Sequence, residues 1–195
     1  IDGNQLFLDY PKGYSITHIA CLYDRKYAME IGFYNKDGIS SDLESILRII
    51  QNRKVGFVNN FVAVYRKHQA NWTKSTDLNL LFSTSNYIDS AYEFALMQNT
   101  ISMTKLDQWR HKMLKRYFIK VMVKLKFRDA GKIPDFLKII EAYDKKIHKA
   151  IIDDVRFRLI RKIKAKSWLM NFIFKHIIKQ PVSYTHLTLP TTKQV

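Results

Sequence analysis

Apolar residues recur at helical spacing through the second half of the chain and in short runs through the first. Leu114, Tyr117, Phe118, Val121 and Leu125 follow the i, i+3, i+4, i+7 rule, while Lys112, Lys115, Arg116, Lys120 and Lys124 populate other faces. This predicts a long amphipathic helix within a helical region that begins near Asp77. Gly131 and Pro134 break it, and helices are predicted over 134–149 and 151–165. A compact apolar cluster follows from Trp168 to Ile178, flanked by Lys162, Lys164, Lys166 and Lys179.

The first half reads differently. Asp9 to Tyr14 is a turn or loop broken by Pro11 and Gly13. Ile16 to Leu22 suits a short strand, and Asp24 to Glu30 a helix ended by Gly32. Asn35 to Gly38 is a loop. Ser41 to Gln51 predicts a helix, with Ser41 and Glu44 as a capping box and Ile46, Leu47, Ile49 and Ile50 as its apolar side. Val55 to Val64 is rich in Val and Phe and reads as one strand, or two with a turn at Asn59-Asn60. The change from sheet-like to helical pattern falls at 70–77. No internal repeat is visible.

Charge sharpens this division. The formal net charge is +16. Residues 1–100 hold 10 Lys/Arg and 10 Asp/Glu, whereas residues 101–180 hold 22 and 7, so the basic character belongs to the helical part and predicts an anionic partner. An apolar content of 47% argues for a folded chain. With one cysteine, Cys21, no internal disulfide can form, and a cytosolic or cytosol-facing chain is expected. No apolar run approaches the ~18 residues that a membrane-spanning helix needs, and no signal peptide is visible.

Residues 182–195, VSYTHLTLPTTKQV, stand apart. The stretch VSYTHLTLPT resembles a translated sequencing adapter. Back-translation fits in one frame, including the flanking codons of Pro181 and Thr192. Native sequence is therefore expected to stop near Pro181, and Tyr184 and His186 are expected to carry no function.

Within Gly32 to His68 the chain joins a Gly-Phe turn, a Ser-Ser-Asp helix start, an Arg one turn later, a β-like run and a Tyr-Arg-Lys-His end. In this order the chain resembles the second half of the catalytic domain of a family 2 glycosyltransferase of the GT-A type, over about residues 1–75. The resemblance implies an α/β fold: a partial GT-A domain lacking its N-terminal half (1–75), then a basic α-helical extension (76–181) and the adapter-like tail (182–195). It implies an inverting enzyme that moves a sugar from a nucleotide-sugar donor to a glycan or lipid-linked acceptor in cell-surface polysaccharide synthesis. Such an enzyme is expected in the cytoplasm or peripherally at the inner face of the membrane.

The resemblance assigns roles residue by residue. Asp42 becomes the general base, because a sugar hydroxyl is a poor nucleophile until a carboxylate takes its proton. Its local alternative is a first-turn carboxylate complementing the helix dipole. Arg48 becomes a substrate contact, with an exposed charge or a local ion pair as the alternative. His68 becomes a ligand of Mg²⁺ or Mn²⁺ on the donor diphosphate, and Arg66 offsets phosphate charge. Asp9, Tyr10, His18 and Tyr23 fall where the family lines its acceptor cleft, although His18 also suits a structural role. The family's Asp-x-Asp metal motif and its nucleotide-binding start do not occur in this chain, so the chain is expected to be an inactive part of a longer enzyme.

Other signals are weaker. Asp153 and Asp154 are adjacent and diverge on a helix, which favours a helix start over a paired-carboxylate site. Asn71-Trp72-Thr73 matches a glycosylation sequon without a secretory context. No P-loop, CxxC, HExxH or GxSxG motif occurs. For the basic helices three readings stay open: a solvated surface, a face lying on an anionic membrane through 151–180, and a nucleic-acid surface, the least favoured. The alternative to the enzyme is thus a non-enzymatic basic helical protein binding anionic membrane or nucleic acid.

Overall fold

A computed structural model describes residues 1–13, 16, 20–34, 41–58 and 75–162. The described residues form eight α-helices: α1 Gly3–Asp9, α2 Arg25–Glu30, α3 Ser41–Ile49, α4 Leu78–Gln98, α5 Met103–Arg128, α6 Ile133–Tyr143, α7 Lys145–Ile152 and α8 Val155–Lys162. Aspartates start many of them. Asp2, Asp24, Asp77 and Asp144 each accept a backbone N–H two or three residues into the following helix, satisfying donors that the first turn leaves unpaired.

The α/β expectation is corrected here. Among the described residues there is no strand, only an isolated bridge between Asp2 and Lys54. Beside this bridge Val55 exchanges backbone hydrogen bonds with Ile1, at 2.9 and 2.8 Å, but the pairing extends no further into a named strand, and Leu22 and Val58 are exposed. β-Branched and aromatic runs fit a pleated surface, but they become strands only where a neighbour completes the hydrogen bonds. Residues 17–19 and 59–64, the remainder of the two predicted strands, lie outside the described residues.

One apolar core joins the early and late helices. Leu6 and Phe7 of α1 and Ile46 and Leu47 of α3 belong to the same buried cluster as Ile88 of α4, Trp109, Leu114 and Phe118 of α5, Phe136 of α6 and Phe157 of α8. Phe7 stacks on Trp109 at 4.1 Å between ring centres. α5 is the central element: its predicted stripe Leu114, Phe118, Val121 and Leu125 is buried, as the periodicity requires. α1 approaches the end of α3 so closely that Gly3 is a steric necessity. A Cβ there would lie 1.7 Å from the Ile50 carbonyl oxygen.

Two helix boundaries differ from expectation. The segment predicted as 134–149 is divided at Asp144, which caps α7, and the one predicted from 151 starts only at Val155. Asp154 sets that start by accepting the Arg156 N–H at 2.9 Å, so the Asp153-Asp154 pair is a helix start.

Candidate functional site

The site grows from the turn between α2 and α3. Gly32 and Tyr34 both take left-handed backbone angles, φ 65° and 60°, ending α2 and presenting Phe33 and Tyr34 side by side. Tyr23 packs on Phe33 at 4.6 Å, and Phe33 meets Tyr34 edge-on at 4.7 Å.

α3 holds this turn from below. Arg48 donates to the carbonyl oxygens of Ile31 and Gly32, the latter at 2.8 Å, and the Tyr34 N–H donates to Ser45 Oγ at 2.9 Å. Arg48 is 5% exposed and forms an ion pair with Glu44, which is fully buried, at 2.7 Å. Ser90 Oγ on α4 donates to the same carboxylate at 2.7 Å, and the Phe94 ring lies 5.6 Å from the guanidinium. Arg48 therefore acts on the turn as a local ion pair and backbone clamp. Glu44 serves this pair rather than a capping box, and Ser41 is already the first residue of the helix.

Asp42 stands in the first turn of α3, exposed, with Oδ1 accepting the Leu43 N–H at 2.8 Å. Two phenols feel its charge. Burial first, then Asp42, pushes Tyr34 up to about 12. Burial also pushes Tyr10 up to about 12, with Asp42 adding to the rise while the Ile16 backbone and Arg116 oppose it. Tyr10 begins a single 3-10 turn, Tyr10–Lys12, which Arg116 of α5 anchors by donating to the Pro11 carbonyl. Asp9 pairs with Lys12 at 2.7 Å, which holds its carboxyl below the ordinary value. Asp42, Tyr10 and Tyr34 thus form one electrostatic neighbourhood, and Tyr23 extends its aromatic rim.

His18, Arg66 and His68 lie outside the described residues. Among the described residues no group of three or more His, Cys, Asp or Glu can hold a metal ion. The described residues supply no ligand set for Mg²⁺ or Mn²⁺.

A second polar cluster binds helices together. Arg110 of α5 pairs with Asp89 of α4 at 2.6 Å and with Asp144 at 3.0 Å, and donates to Tyr143 Oη at 3.0 Å. Tyr143 in turn donates to Asp89. Each carboxylate is taken up by the guanidinium between them, which marks a structural bridge across α4, α5 and the α6–α7 junction.

Comparison with family models, with curated proteins and with solved structures gives no match. The chemistry must be read from the site itself. A cluster of aromatic rings on a turn held by the helix that carries an exposed carboxylate suits a ligand with apolar faces and hydroxyl edges. The rings offer a stacking surface, and the carboxylate is a strong hydrogen-bond acceptor that can also take a proton. Tyr34 was not singled out by sequence reasoning. Its signal was present in the Gly-Phe-Tyr that follows a short helix, where a left-handed Gly throws the next side chains outward.

Proposed function

We propose that the chain is the acceptor-side part of a glycosyltransferase, with Asp42 as the general base that deprotonates the attacking sugar hydroxyl. The observation that carries this reading is the exposed Asp42 carboxylate in the first turn of α3, the helix that also holds the Tyr34 turn through Ser45 and Arg48. A base must reach its substrate's proton, and a buried or fully paired aspartate would not. Arg48, paired with Glu44, fixes the backbone of the turn that carries Tyr34 against the helix that carries Asp42. In this reading Tyr34 stacks on the acceptor sugar, Tyr10 flanks it, and Asp42 meets the hydroxyl. The donor diphosphate and its Mg²⁺ or Mn²⁺ belong to the reading through Arg66 and His68, as an expectation from the resemblance.

The test uses the product of the complete reading frame that contains this chain. It is incubated with a panel of nucleotide sugars and with glycan or lipid-linked acceptors, and nucleoside diphosphate release is followed. Acceptor-dependent release with one donor class is expected. Tyr34→Ala should raise the acceptor KM roughly tenfold, as loss of a stacking contact worth ~1 kcal/mol or more implies, while the donor KM stays put. Absence of acceptor-dependent release across the panel would contradict the reading.

A further inference from the structure

α8 has an unusual outer face. Phe157 and Ile160 are fully buried, Ile160 against Ile119 and Val123 of α5. On the opposite side Val155, Arg158, Leu159 and Lys162 follow i, i+3, i+4, i+7 and are all exposed, Val155 by 61%. This stripe alternates apolar and cationic side chains and contains no acid. A purely solvated face gains nothing from Val155 and Leu159, whereas a boundary between water and hydrocarbon accommodates both kinds of side chain.

The neighbouring helix extends the positive charge. Lys120 and Lys124 of α5 each follow directly the residue that seats Ile160, so they border the seam where α8 packs. They stand one turn apart on the same helix, about 6 Å at 1.5 Å per residue. Like charges at this spacing repel. Partial burial, then Arg116, holds Lys120 below its ordinary value, and burial, then Arg128, does the same for Lys124. The two neighbouring ammonium groups of Lys120 and Lys124 gain from an anionic surface laid beside them. The sequence continues in the same sense: residues 155–181 hold eight Lys/Arg and no Asp/Glu.

We infer that the outer face of α8, with the adjoining lysines of α5, docks on an anionic lipid leaflet. Val155 and Leu159 enter the interface, and Arg158, Lys162, Lys120 and Lys124 meet the headgroups. Lipid is favoured over nucleic acid because phosphate backbones reward the cations alone, whereas a leaflet rewards the apolar pair as well. The inference is independent of sugar transfer.

The experiment is sedimentation of the full chain with vesicles of phosphatidylcholine alone or with about a third phosphatidylserine, with and without competing duplex DNA. Binding to the anionic vesicles only is expected, falling as salt rises. Arg158→Gln with Lys162→Gln should weaken it roughly thirtyfold, since each cation near the surface contributes about one factor of five. Val155→Ser with Leu159→Ser should weaken it several-fold without changing the salt dependence. All four positions are exposed, so far-ultraviolet circular dichroism should match the parent chain. Equal binding to neutral vesicles, no vesicle binding, or DNA displacing the vesicles with the apolar double variant unaffected would each overturn the inference, the last in favour of a nucleic-acid surface.

Discussion

Glu44 and Arg48 are the residues on which the candidate site depends without touching its ligand. Their charges are buried together, and such a pair is weak as a source of stability but costly to break. Glu44→Ala should lower stability by roughly 3–5 kcal/mol, because it leaves the guanidinium buried beside Phe94 without its counter-charge. Replacing both residues by apolar ones of similar volume should recover most of that loss in urea denaturation. It should still loosen the turn, since the Ile31 and Gly32 carbonyls lose their donor. Sequence carried this pair openly: Glu at i and Arg at i+4 is the favourable helical order. The capping-box pattern over the same Glu44 competed with it, and burial against Ser90 of α4 decided between them. Asp42 was legible as a helix-start carboxylate, but its proximity to Tyr10 and Tyr34 is tertiary and has no signature in local spacing.

Asp154 joins residue to element. Burial pushes its carboxyl up, but Arg156 and Lys115 outweigh that and hold it well below the usual carboxylate value. Lys115 reaches it from α5 at 2.9 Å, so the pair ties α8 to the central helix. A lowered folded-state value stabilises the fold above the unfolded pKa near 3.8, and this contribution is lost as pH falls below it. Thermal unfolding should therefore drop steeply below about pH 4 in the parent chain, and Asp154→Asn should lower the melting temperature at pH 6 while flattening the acid limb. At the first helix the constraint is space rather than charge. Gly3→Ala would drive a Cβ into the Ile50 carbonyl, and since this is backbone, α1 must shift. A loss of at least about 1–3 kcal/mol in urea denaturation is expected, as for other overpacked sites. α2, α3 and the long stripe of α5 could be read from sequence, and Asp77 marked the start of the helical region that α4 opens. α1 went unread although Asp2 caps it as Asp24 caps α2, because its seven residues add no clear period and its place is set by packing against the end of α3. The break at Asp144 was hidden because no Gly or Pro marks it. In the described parts of the two predicted strands no strand forms, because a β-prone run says what a segment tolerates, while pairing needs a neighbour that local sequence does not name.

At the scale of the molecule, residues from α1 and α3 share one core with α4 to α8, with Phe7 against Trp109 at its centre. Phe7→Ala should cost roughly 3–5 kcal/mol and should change tryptophan fluorescence and helical circular dichroism in the same transition. Among the described residues no helix is long and apolar enough to cross a membrane. The excess of cations lies on the later helices, and Arg116 of α5 links them to the Tyr10 turn through the Pro11 carbonyl. The measurement that tests the account most directly is the effect of Asp42→Asn in the product of the complete reading frame, with sugar transfer and donor binding followed side by side. The account predicts that transfer falls roughly 10²–10⁴-fold, the usual contribution of a general base, while the donor binds as tightly as before. Full transfer activity in that variant would contradict it.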